Sequence, residues 1–155
     1  MNRIHSLAKA IALLVAATGC SMAFAAGSTT LAVTASVAAT CKFSATSTPL
    51  TFAAIDPSSL SNVTASANVL YKCTKGTAST GVGFATGSTA RTMVGPLPAD
   101  LLPYVLALAG GTQTGTGFGA GRDRTLAVTG TITPAQFQNA TVGAYSENVT
   151  LNITP

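Results

Sequence analysis

The residues able to do acid–base or nucleophilic chemistry are few and scattered. The 155-residue chain has one histidine, His5, three cysteines and four carboxylates, Asp56, Asp100, Asp123 and Glu147. His5 falls in a leader-like start, so the remainder lacks the imidazole that Ser-His-Asp and Cys-His catalysis require. The carboxylates lie in turn-like regions and in the final strand. They read as solvated side chains; a glycosidase-type pair needs two facing carboxyls, and only a chance meeting such as Asp100 with Asp123 would supply one. The glycine run of residues 110–121, GGTQTGTGFGAG, is not followed by Lys-Ser/Thr, and no strand–helix context surrounds it. It reads as a mobile surface loop, not a phosphate cradle. No catalytic residue, metal site, cofactor, nucleic acid or small-molecule substrate is expected.

The first 25 residues explain part of the composition. Arg3 and Lys9 precede an apolar run over residues 11–17, and Ala23-Phe24-Ala25 follows, the pattern of a cleaved bacterial secretory signal. Ala17-Thr18-Gly19-Cys20 resembles a lipoprotein processing site but lacks its usual large aliphatic residue, so Cys20 is expected to leave with the leader. Cleavage leaves one domain of about 130 residues. It carries six basic residues (Lys42, Lys72, Lys75, Arg91, Arg122, Arg124) against the four acids, a net charge of 6 − 4 = +2 without a basic cluster. A nucleic-acid face needs such a cluster. Cys41 and Cys73 remain. Two thiols without histidine make a poor metal site, and an even pair in an exported chain reads as a disulfide. Closing a loop of this length is worth about 3 to 4 kcal/mol on the loop-entropy model.

These cysteines are positioned by strands. In residues 29–40, TTLAVTASVAAT, the side chains of Leu31, Val33, Ala35, Val37 and Ala39 share one face of an extended chain. Such a strand is either the first of an ordinary sandwich or an arm that completes another sheet. Residues 41–44 read as a short strand leading to a turn at Pro49, and residues 67–74 as a longer strand ending in Cys73. Short strands follow at residues 82–85 and 91–94. Residues 103–108 are continuously apolar, which suits a strand buried on both faces. Residues 125–133 form another strand, and residues 134–139 a connection with room for one helical turn. Residues 147–154 alternate Val149, Leu151 and Ile153, and the outer edge of this last strand has no later strand to pair with. Short strands separated by turn chemistry indicate an all-β sandwich or barrel. Four Asn-x-Thr sequons, at Asn62, Asn139, Asn148 and Asn152, are common by chance in threonine-rich strands and are expected to be unmodified.

In order and spacing, several segments resemble the spore coat U domain (SCPU) family, which includes subunits of archaic, Csu-type chaperone–usher pili. They are the alternating arm before Cys41; Tyr71-Lys72-Cys73-Thr74 with Gly76; Arg91-Thr92-Met93 after a glycine-serine turn; Leu102-Pro103-Tyr104-Val105-Leu106; Val128-Thr129-Gly130-Thr131-Ile132; and Gly143-Ala144-Tyr145-Ser146 before the last strand. Glu147-Asn148 replaces a commoner Asp-Thr, and the loop after the Tyr104 strand has no Trp, with Phe118-Gly119 in its place. The resemblance spans nearly all of residues 26–155.

It implies an incomplete immunoglobulin-like β-sandwich lacking its last strand. Residues 26–40 would be a donor-strand extension and residues 41–155 the pilin domain. Donor residues would be Leu31, Val33, Ala35 and Val37, and the acceptor edge Val149, Leu151 and Ile153. Partners would be like subunits, a periplasmic chaperone and an outer-membrane usher, with the fibre on the surface of a Gram-negative cell. Strand addition draws affinity from backbone hydrogen bonds and specificity from alternate side chains. Each large aliphatic of the arm would contribute roughly 1.5 to 3 kcal/mol on burial. A coat protein self-associating through the same exchange, and a secreted binding module completed by its own arm, are the alternatives.

Overall fold

The computed structural model describes residues 27–78 and 81–155; the expected leader, with Cys20, lies outside them. The chain divides into two units, Met1–Ala35 and Ser36–Pro155. Of the first, residues 27–35 are described: they hold no strand and are exposed.

The second unit is an incomplete immunoglobulin-like β-sandwich with one disulfide, Cys41–Cys73. Its larger sheet has five antiparallel strands in the order β1 (Cys41–Phe43), β2 (Val63–Cys73), β6 (Arg124–Ile132), β5 (Leu101–Ala109) and β4 (Ala90–Val94). The smaller sheet pairs β3 (Gly81–Phe84) with β7 (Leu151–Thr154). Cys41 sits opposite Cys73 in the β1–β2 register, so the bridge joins directly facing residues. β2 and β6 pair over nine positions, from Val63–Ile132 to Tyr71–Arg124, and form the spine of the sheet. Their inward faces supply Tyr71, Cys73, Leu126, Val128 and Ile132, all buried.

The continuously apolar strand turns out to alternate in burial. On β5, Leu102, Tyr104 and Leu106 enter the core, whereas Leu101 and Val105 are 53% and 45% exposed. Hydropathy alone could not distinguish the faces, because the outward residues are apolar too. After β6 the chain forms the single helical turn α1 (Pro134–Phe137). Proline opens it, where a missing N–H costs nothing. The Thr133 N–H donates to Gln136 Oε1 at 2.7 Å, and Phe137 is driven into the core at 2% exposure.

Two loops differ from their expectation. The glycine-rich run is pinned to the end of β2. Gly76 N–H donates to the Gly115 carbonyl at 3.0 Å, Gly115 N–H to Thr77 at 2.7 Å, and Gly117 N–H to Cys73 at 3.0 Å. A Cβ at Gly115 would lie 2.5 Å from the carbonyl oxygens of both Cys73 and Thr74. Glycine here serves close backbone approach, not mobility. Pro49 makes no turn: residues 47–56 run without turn or bend. The fixed φ of proline suits extended backbone, and its lack of an N–H is tolerated where no ladder forms.

Candidate functional site

The open side of the sandwich is a groove of about 1230 Å³. Its floor is the core itself: Phe84, Met93, Leu102, Tyr104, Leu106, Val128, Ile132 and Phe137. These side chains are buried or half-buried, so the groove lies over the core without laying it bare.

Each wall is an extended segment with unused backbone groups. The first comprises residues 46–55. Leu50, Phe52 and Ile55 are half-buried against the core, and Thr51, Ala53 and Ala54 point outward. Gly130 makes this packing possible, because a Cβ there would meet Phe52 Cζ at 2.6 Å. The Phe52 ring stands edge-on to Tyr104, with centroids 6.1 Å apart. Among the described residues, no backbone hydrogen bond joins residues 45–55 to another segment.

The second wall, residues 145–151, includes Tyr145, Glu147, Val149 and Leu151. It is fixed at both ends. Val94 and Ser146 exchange two backbone hydrogen bonds of 3.0 Å, and the Ala85 N–H donates to the Thr150 carbonyl at 2.9 Å. Val149 and Leu151 line the groove. Ile153 does not line the groove; it packs on the core opposite Val82. Among the described residues, β7 forms its ladder with β3.

A charged pair borders the groove, with Glu147 in its lining. Arg91 Nε lies 3.3 Å from Glu147 Oε1, and Tyr104 lies beside both. Burial pushes the Tyr104 phenol up to about 12; the Glu147 carboxylate adds to the rise and Arg91 opposes it. Away from the groove, Asp123 accepts from the Ser44 hydroxyl and pairs with Lys72 at 3.5 Å. The Ser44 hydrogen bond is the main reason its carboxyl is held below the usual range. Among the described residues, no three His, Cys, Asp or Glu side chains gather as a metal site, and no helix is long and apolar enough to cross a membrane.

The expected donor residues carry apolar side chains in the open. Leu31 and Val33 are 82% exposed, Val37 is 85% exposed, and Ala35 is exposed. No strand forms over residues 27–40, since a strand needs a partner for its backbone groups. At its root the segment continues the β1–β2 pairing. Thr74 N–H donates to the Thr40 carbonyl at 2.9 Å, and Thr74 Oγ1 accepts from Thr40 N–H and donates to the Ala38 carbonyl, both at 3.1 Å.

Residue types and spacing did not point to the first wall. Its only sequence signal was the Leu50-x-Phe52 alternation, outweighed by Pro49. The Arg91–Glu147 pair joins residues 56 apart in sequence and had no local signature.

No significant match was found among curated proteins or among solved structures. A family model described as Spore Coat Protein U domain matches residues 28–152, from the arm to the last strand. The chain belongs to the Spore Coat Protein U domain family.

Proposed function

We propose that this chain is a structural subunit of a chaperone–usher fibre, exported through the periplasm of a Gram-negative cell and polymerised by donor-strand exchange. The observation that carries this reading is the groove: a cleft of about 1230 Å³ that opens over the hydrophobic core between two edge segments. The alternating, exposed side chains of Leu31, Val33, Ala35 and Val37 supply a complement for such a groove. An exposed apolar edge is an aggregation hazard that native proteins cover. Coverage by a chaperone strand before assembly, and by a neighbour's arm afterwards, meets that need. The role is mechanical, without catalysis; a fibre of such subunits would support adhesion and biofilm formation.

Backbone pairing along both walls, with Leu31, Val33 and Val37 over the floor, would supply the affinity. The test is size-exclusion chromatography and unheated SDS gels of the chain beginning at Gly27, beside one lacking residues 27–40. Ladders that resist SDS in the first and vanish in the second are expected. A first chain that stays monomeric, with a truncation that unfolds, would mean that the arm completes its own domain.

A further inference from the structure

Arg91 stands beside the groove and pairs with Glu147, which lines it. Its side chain is 9% exposed, against 22% for Glu147, and the two approach at 3.3 Å. The guanidinium is held from several sides. Nη1 donates to Thr86 Oγ1 at 2.8 Å, and Cζ lies 5.8 Å from the centre of the Phe84 ring. Nε is buried without a hydrogen-bond partner of good geometry.

Burying such a pair rarely raises net stability over an apolar replacement, and its better-attested use is to fix geometry. What it fixes here is visible. Glu147 directly follows Ser146, whose two backbone bonds to Val94 tie the wall to β4; three residues later, Thr150 is bonded to Ala85. Asn148 and Val149 span the interval between these ties, with Val149 lining the groove. The ion pair adds a side-chain tie at the entrance to that span.

We propose that Arg91 and Glu147 are positioning residues for strand addition: they hold the 147–150 edge extended and open before a strand arrives. The proposal rests on the strand-acceptor reading of the groove. It places their effect on encounter more than on residence, because a pre-formed edge removes an ordering step from docking. Most interface substitutions act the other way, on dissociation.

The probe is a fluorescent peptide of residues 27–40, added to the freshly refolded chain beginning at Gly27 and followed by stopped-flow anisotropy. Arg91→Met keeps an unbranched apolar stem and removes the charge. Association is expected to slow about tenfold with dissociation changed less than about twofold, and the charge-exchanged double variant R91E/E147R to recover most of the association rate. Should circular dichroism show Arg91→Met unfolded, Glu147→Gln, which is nearly isosteric, carries the same expectation. Unchanged association in the variant would overturn the proposal. So would equal changes in both rates without recovery by charge exchange, since a packing role alone predicts that. A wild-type chain that captures no peptide would instead sink the groove reading itself.

Discussion

The two walls of the groove are both extended, both half-buried, and held in opposite ways. Residues 145–151 are tied by backbone, with two bonds to Val94, one from Ala85 and the β3–β7 ladder that begins at Leu151, and the Arg91–Glu147 side chains add an ion pair. Residues 46–55 are tied by side chains, with Leu50, Phe52 and Ile55 resting on the floor and the backbone making no bond to another described segment. An incoming strand would therefore meet one edge already formed and one that still lacks a partner. Hydrophobic packing sets which face of a segment turns inward, whereas a hydrogen-bonded ladder also satisfies its backbone groups.

Amide exchange breaks the comparison most sharply. Backbone amides of residues 50–55 are expected to exchange almost as freely as those of an open loop. Those of β6 should be slower by at least about a thousandfold, because they open only with the whole domain. Adding the peptide of residues 27–40 should protect residues 50–55 by far more than it protects the β7 amides already bonded to β3. Slow exchange over residues 50–55 without peptide would show that packing alone orders this wall.

The root of the weaker wall is the next place to press. Cys41–Cys73 fastens β1 to β2 five residues before the wall begins. Replacing both cysteines with serine is expected to cost about 3 to 4 kcal/mol in urea unfolding. The loss should appear first as release of residues 41–55, while the β3–β7 ladder persists to higher denaturant. A single transition in which both walls are lost together would show that the sandwich divides less sharply than its hydrogen bonds imply.

How far these walls were legible in the sequence follows from what holds them. Strict alternation over residues 147–154 announced the last strand, which forms over Leu151–Thr154, and Leu126 and Val128, two apart, announced the 125–133 strand, because one face of each meets the core. The disulfide was legible from the two cysteines that lie beyond the expected leader. The first wall was hidden by Pro49, which reads as a turn when its neighbours are unknown and becomes an extended residue once the core beneath Leu50 and Phe52 is in place. Pairing is a further step from periodicity: the order β1-β2-β6-β5-β4 and the meeting of Arg91 with Glu147 depend on contacts that alternation does not encode. The arm is the reverse case, with a clear strand pattern and no strand over residues 27–40, since its ladder would have to come from elsewhere.

Tyr104 offers the finest probe of the contrast, because it touches both walls. Its ring meets Phe52 of the packed wall, and its hydroxyl lies beside Glu147 of the bonded one. Burial first, and the Glu147 carboxylate second, raise its phenol to about 12, against about 10 in an unfolded chain. A raised value means that the folded state holds the proton more tightly. Its contribution is therefore complete below about pH 10 and is lost as the pH climbs toward 12. Tyr104→Phe removes the ionising group and keeps the ring. The urea midpoint of the wild type is expected to fall more steeply than that of the variant between pH 10 and 12, with the gap between them constant below pH 9. Parallel curves would mean that the phenolate is accommodated without strain, with the groove hydrated down to its floor. Convergent curves would place a dry, strand-shaped floor beneath the two walls, with the tied wall supplying the charge that the phenolate must face.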